Sequence, residues 1–519
     1  MEIKTDVSYL RNTKCSDVYT ESQADYILPD YMGDMRKILF TDATLRPSGR
    51  FAGGDEVEFS GVVVYNVIYL DSEGELCSAE FTSDYDYTVK CSGENYNDSI
   101  ANTRVSNYAV RLIGPRKISA RASLVGSVRL SESCSVGVTG NAFEGDSAPE
   151  LRRGSLGIRV SKPSSVCERE FAECLARIDG AIADEVSVIY PAAEILVEDM
   201  RAGDDSVTVK GKLRLSAVIK NADEVAYSAE KQVSFEEKVD FEDCDSFVSL
   251  APQLSVCSVK ASVNADDSGC EVVLSGIAEL CVIGEGNQHI DVMLDGYLKE
   301  CPTDNSYEEL GYTELVDSTS VKGSHNAEVY RADVEAEGAK EILFITATPR
   351  LERVESEEGK VSLLGEIRYS GVATEVIDDK LSYVGVKFSS PFATNVNINC
   401  QNADNLRIEA DVQATNCSAT LDAEKLYATC TLESRVVALE ESSCTTLCSM
   451  TRRDGEKYES QGSTVTVYYP TGEDTLFSVA KRFHSSCLKV ARDNDISDAV
   501  FAADNPSGSL AGVKKLIIY

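Results

Sequence analysis

The sequence predicts a mainly β protein: three tandem antiparallel β-sandwich-like modules, followed by a small α+β domain of strand–helix–helix–strand order. Three observations predict it. A strand pattern built around a glycine recurs at Gly61, Gly211 and Gly365, which lie 150 and 154 residues apart (211 − 61 and 365 − 211). Around each glycine, apolar and polar residues alternate with period two, as on a half-buried pleated sheet. Near the C-terminus the period changes: Leu476, Val479, Ala480 and Phe483 stand at i, i+3, i+4 and i+7, one face of a helix.

The repeats justify the modules in order. Ile38-Leu39-Phe40 and Ile342-Leu343-Phe344 match, and each leads to an Ala-Thr pair and an arginine, Arg46 or Arg350. Ile195-Leu196-Val197, followed by Arg201, reads as their counterpart in the middle copy. After a turn-rich gap each glycine-centred strand continues over 62–70, 212–219 or 366–373. A polar turn follows, at 71–74 in the first copy and at Asp378-Asp379 in the third. The next strand is read as ending on Phe81, Phe235 or Phe388, with Tyr85, Val239 or Phe392 four residues later. A glycine inside a strand predicts a bulge or a close backbone approach. Each copy closes with two more strands, at 108–112 and 118–130, at 254–263 and 270–283, and at 406–414 and 427–439. One stretch breaks the pattern: Phe171, Cys174, Leu175 and Ile178 recur at helical spacing, which predicts a short helix within 167–182. The domain reading is 1–150, 151–305 and 306–450 for the modules, 451–463 for a polar linker and 464–519 for the terminal domain. The middle copy has drifted most and reads as a spacer.

Composition restricts function. The net charge is −36, from 86 acidic and 50 basic residues, which disfavours nucleic acid and anionic membrane as partners. Residues 464–519 carry six acids and six bases, so the terminal domain is neutral and the whole excess lies on the modules. Trp is absent and His occurs three times, at His289, His325 and His484, which leaves few candidates for a general base or metal ligand. The 17 cysteines are scattered without a CxxC pair and read mostly as small buried hydrophobes, with late oxidative cross-linking as the alternative. Phosphate-loop, dinucleotide, GxSxG and HExxH motifs are missing, and paired acids such as Asp204-Asp205 sit at turns, where carboxylates cap backbone N–H groups. These absences predict a protein without cofactor or catalytic site, and an N-terminus lacking the basic start and apolar stretch of a signal peptide predicts a cytoplasmic one.

The segment 25–39, with Tyr26, Pro29, Tyr31, Gly33 and Arg36, resembles the opening of the SPOCS domain of spore-forming Firmicutes, and 61–70 resembles its central hairpin. The resemblance is clearest in the first copy and weakest in the second. Strand 465–469, the Gly472-to-Phe483 helix start, Asn494 with Ile496 and the closing 510–518 resemble a LysM domain. That resemblance implies a groove of Asp474, Thr475, Phe477, Asn494, Ile496 and Gly512 that binds N-acetylglucosamine polymers or a protein partner. Here Phe477 takes the usual Trp position, Glu473 splits the Gly-Asp pair, and 497–508 lengthens the last loop, which shifts the expected ligand from sugar to protein. Tandem SPOCS-like modules with a terminal LysM resemble the spore-coat morphogenesis proteins. The resemblance implies a non-catalytic mother-cell protein at the forespore surface. Its implied partners are a coat ATPase similar to stage IV sporulation protein A and other coat proteins. The alternative is peptidoglycan binding through the LysM groove.

Overall fold

The computed structural model describes residues 5–519, except 15–16, 54–55, 91–95, 140–147, 222–224, 267, 358, 378, 400–405, 454, 459–464, 497–509 and 511. The chain is mainly β, folded into several antiparallel sheets. Its first stretch runs β1 (Thr5–Lys14), β2 (Val18–Ile27), β3 (Met35–Gly53), β4 (Glu56–Asp71), β5 (Leu76–Lys90), β6 (Tyr96–Gly114) and β7 (Lys117–Val138). The second runs β8 (Glu150–Pro163), β9 (Cys167–Asp179), β10 (Ser187–Gly203), β11 (Ser206–Lys220), β12 (Ala226–Asp240), β13 (Ser249–Asp266) and β14 (Gly269–Tyr297). The third runs β15 (Thr303–Tyr330), β16 (Ala339–Glu357), β17 (Lys360–Ile377), β18 (Lys380–Asn397), β19 (Leu406–Leu421) and β20 (Lys425–Arg452).

The same connectivity recurs in each stretch. Three consecutive strands form a meander: β3-β4-β5, β10-β11-β12 and β16-β17-β18. The long closing strand, β7, β14 or β20, is flanked on one side by the strand before it in sequence. Its other side is shared end to end by β1 and β2, or by β8 and β9. In the third stretch the single strand β15 covers the whole of that side.

The three glycines explain one another. Gly61 lies opposite Tyr85, Gly211 opposite Phe235 and Gly365 opposite Phe392. A Cβ on Gly211 would stand 2.3 Å from the Leu196 carbonyl oxygen, and one on Gly365 would stand 2.1 Å from that of Arg350. Beside each glycine the neighbouring strand also bulges, at 47/49, 197/199 and 351/353. Close approach and bulge therefore occur together: a carbonyl of the bulged strand and the aromatic ring across from the glycine both occupy the space a side chain would need.

The register corrects three sequence readings. Phe235 is the counterpart of Tyr85 and Phe392, not of Phe81 and Phe388, and all five residues lie within strands rather than at their ends. Phe40, Tyr190 and Phe344 pair with Ile68, Val218 and Val372, each seven residues beyond the glycine. The middle counterpart of Ile38-Leu39-Phe40 is thus Val188-Ile189-Tyr190, not Ile195-Leu196-Val197. The expected helix in 167–182 is instead strand β9. Its bulge at Leu175 switches the inward parity from Cys167 and Phe171 to Ala176 and Ile178. Two period-two runs joined out of phase imitate a 3.6 period.

Each meander packs against the long strand of its own stretch. Val63, Tyr65, Val67 and Tyr69 of β4 share one apolar cluster with Ala120, Ala122, Leu124 and Val128 of β7. Leu213, Leu215 and Ile219 do the same with Leu274 and Leu280, and Leu363, Ile367 and Tyr369 with Ala428 and Val436. The other faces of the meanders meet each other. Phe40, Tyr190 and Phe344 form a triangle of rings, with centroids 5.3, 4.9 and 4.8 Å apart, inside a cluster that includes Ile68, Val218 and Val372. This two-sided burial explains the long apolar run of β4, since a strand covered on both faces has no polar side.

The far halves of the long strands also share a core. Tyr9, Leu156, Ile158, Ile290 and Val292 cluster with Leu310, Tyr312, Cys134 and Cys444. Between the two shared cores lies an ionic network. The fully buried Glu285 carboxylate accepts from Arg159 Nε at 3.1 Å, Arg129 Nη1 at 3.2 Å and Ser161 Oγ at 3.1 Å. Glu409 accepts from Arg159 at 3.2 Å, from Arg407 at 2.8 Å and from Arg129. Burial alone would raise the Glu409 carboxyl, but the Arg129 and Arg159 guanidiniums and the Arg407 hydrogen bond hold it down at about 2, against an ordinary 4.5. A carboxyl held low adds stability that is complete above its unfolded pKa and is lost as pH falls through the folded one. Stability is therefore expected to fall by about 3 kcal/mol from this group between pH 4.5 and about 2. Urea midpoints measured across that range should slope less in Glu409→Gln, and equal slopes would refute the assignment.

Candidate binding surface of the C-terminal domain

The chain ends in β21 (Thr466–Tyr468), α1 (Leu476–Arg482), α2 (Cys487–Asp493) and β22 (Leu516–Ile518), with β21 and β22 antiparallel. The strand–helix–helix–strand order expected from sequence is present. Leu476, Val479, Ala480, Val490, Ala491, Leu510, Leu516 and Ile518 form its apolar core, so the helical stripe read from the sequence faces inward. Thr475 caps α1: its hydroxyl accepts the Ser478 N–H at 3.1 Å while Ser478 Oγ accepts the Thr475 N–H at 2.9 Å. Two orphan donors are satisfied at once, which matters in a helix of two turns.

The six residues expected to form a groove are used largely inside the domain. Asp474 Oδ2 accepts from the Tyr468 hydroxyl at 2.9 Å and from Thr471 N–H at 2.7 Å. These bonds, with backbone N–H of Thr471 first, hold its carboxyl below the usual range. Asn494 donates to the Val490 and Ile517 carbonyls at 2.8 and 2.7 Å and accepts the Ile517 N–H at 2.6 Å. Ile496 packs on the core. Gly512 stands exposed in a turn with φ +90°, and a Cβ there would meet no described atom within 4 Å. Phe477 turns toward the body and meets the Tyr297 ring edge-on at 5.3 Å. Asp474 and Thr475 thus gather at the start of α1, Asn494 and Ile496 at the end of α2, and Gly512 stands in the turn before β22. The lengthened loop at 497–508 lies outside the described residues, Ser497 to Gly508 included.

The domain is fixed to the body at the end of β14. The Tyr297 hydroxyl donates to the Ser485 carbonyl at 2.7 Å, and Lys481 Nζ reaches both Asp295 oxygens at 2.7 and 2.6 Å. Tyr458, from the segment read as linker, stacks on His484 with centroids 3.4 Å apart. Partial burial lowers the His484 pKa, which favours the neutral ring. Burial likewise pushes the Cys487 thiol up to about 11, and Cys417 to about 12, as suits packing rather than reactivity. Every cysteine among the described residues is a free thiol.

Sequence reasoning missed the surface on the opposite side. Val467 in β21 and its flanking residues Val465 and Tyr469 are 50%, 53% and 69% exposed and alternate along the chain. Ile517 lies directly across from Val467, and Tyr519, 63% exposed, continues that row. Together they make an outward apolar face on a two-stranded sheet whose inner face covers the helices. The signal was present in the alternation Val465-Thr466-Val467-Tyr468-Tyr469: Tyr468 packs inward, so its neighbours must face out.

Among the described residues no cluster of His, Cys, Asp or Glu is placed to hold a metal ion, and no helix is long and apolar enough to cross a membrane. In comparisons with known proteins, no family model, curated protein or solved structure matches the chain.

Proposed function

We propose that the chain is a non-catalytic assembly protein of the spore coat. In this reading it consists of three SPOCS-like β-sandwich modules and a LysM-like tail, and it resembles the spore-coat morphogenesis protein SipL. It acts in the mother-cell cytoplasm at the forespore surface. There the tail binds a coat-basement ATPase similar to stage IV sporulation protein A, and the acidic modules offer contacts to other coat proteins. The observation that carries the reading is the outward face of Val465, Val467, Tyr469 and Tyr519. Exposed aromatic and branched apolar side chains grouped on one rigid face mark protein interfaces. Of the groove residues, by contrast, Asp474 and Asn494 are engaged in internal bonds and Phe477 is turned toward Tyr297.

Deleting 464–519 from the full chain is expected to abolish co-purification of that ATPase. Unchanged recovery would refute the reading. Peptidoglycan binding is the competing outcome: strong retention of the full chain on insoluble peptidoglycan, lost with the same deletion, would replace it.

A further inference from the structure

We infer that the tail takes its partner by strand addition at the open edge of β21, extending the two-stranded sheet by an extended segment of the partner. The inference rests on the reading that the tail is a protein-binding domain. Its basis is an asymmetry between the two edges of the sheet. On β22, the Ile517 N–H and C=O are both held by the Asn494 side chain, at 2.6 and 2.7 Å. That edge is closed. Because the Ile517 peptide groups point away from β21, Ile517 and Val467 form a non-hydrogen-bonded pair. The Val467 N–H and C=O must then point away from β22, toward the other edge. Among the described residues no donor or acceptor reaches them.

An added strand would satisfy both groups. It would also place alternate side chains beside Val465, Val467 and Tyr469, which are exposed on one face. A sheet of two three-residue strands gains much from a third strand, since a lone hairpin is marginal in water.

Charge selects the occupant. Beside β21 the exposed Arg482 guanidinium donates to the Tyr468 hydroxyl at 2.8 Å, and Lys514 and Lys515 lead exposed into β22, while the exposed acids Asp493 and Asp495 flank Asn494 at the closed edge. A second copy of the chain would bring the same lysines to the contact and a net charge of −36 behind them. The occupant that fits is an extended segment of a different protein, with alternating apolar residues flanked by Asp or Glu.

The test uses the full chain and the purified coat-basement ATPase. Val467→Pro removes the outward N–H, for which no acceptor stands among the described residues, and an edge position tolerates proline. It is expected to weaken binding about tenfold or more, while Val467→Thr, which keeps the N–H, binds near the parent level. Hydrogen exchange supplies a reading free of mutation: the Val467 amide should exchange slowly in the complex and fast in the free chain. An unprotected Val467 amide in a complex that still requires 464–519 would overturn strand addition and leave the tail-binding reading intact. A complex that forms without 464–519 would refute that reading itself. A doubling of mass of the chain alone, abolished by Val467→Pro, would also overturn the inference by making a second copy the occupant.

Discussion

Glu285→Ala is expected to destabilise the chain by about 3–5 kcal/mol, the largest loss of any single charge removal here. The cost does not come from the ion pair as a bond. Taking Arg159 and Glu285 out of water is itself expensive, and their attraction roughly offsets that expense. Removing the carboxylate leaves the Arg159 guanidinium, 5% exposed, with its Nε partner gone and Glu409 alone on the other side. Arg129 and Arg435, which also approach Glu285, become like charges with one counterion fewer between them. An uncompensated buried cation is what the mutant must either tolerate or unfold to hydrate. The exposed pair Arg353–Glu355, 70% and 51% open, provides the control: its removal should cost no more than about 1 kcal/mol. Replacing Arg159 and Glu285 together with Met should recover much of the loss, because neither charge is then left alone. Urea midpoints decide it, and a Glu285→Ala chain within 1 kcal/mol of the parent would show that water reaches the network.

The location of that network was beyond sequence reasoning. Arg159 and Glu285 are 126 residues apart and Arg129 and Glu409 are 280 apart, and nothing in composition or period singles them out from 86 acids and 50 bases. What period reveals is which face of a strand is buried, and that held for the glycine-centred strands and the terminal helices. It failed where an extra residue changes the face. Leu175 in β9 made a strand look helical. In the middle copy the match fell seven residues late because Ile195-Leu196 repeats the Ile-Leu of the outer copies, while the true counterpart reads Val188-Ile189-Tyr190. Bulges carry no residue signature of their own, so a reader of one strand counts straight through them. The element order of the terminal domain was legible because its helical stripe and its flanking short strands are local signals. Its groove was not legible in the same way, because Asp474 and Asn494 are as well suited to bracing a small domain as to holding a ligand.

Phe40→Ala is expected to cost about 3–5 kcal/mol and to do so through contacts between the repeats rather than within one. Phe40 is fully buried, yet its own meander packs on the long strand through the opposite face of β4. Its ring touches only the inter-repeat cluster, 5.3 Å from Tyr190 and 4.9 Å from Phe344. Truncation opens a cavity where three sheets meet, and none of them can move inward without leaving its own core, so little relaxation offsets the loss. The edge-on contact with Phe344 adds a specific term, and Phe40→Ala with Phe344→Ala should show a coupling of about 0.5–1.5 kcal/mol. Tyr190→Phe separates packing from polarity: it keeps the ring but removes the buried hydroxyl next to the Asp42 carboxyl, whose pKa burial raises. That variant should be destabilised as well, by less than Phe40→Ala. If the repeats were independent beads, the single changes would be mild and the double change additive. Coupled losses in denaturant unfolding would instead identify the three repeats as one cooperative body, because the aromatic side chain that completes each repeat's outer face is also the wall of its neighbours' core.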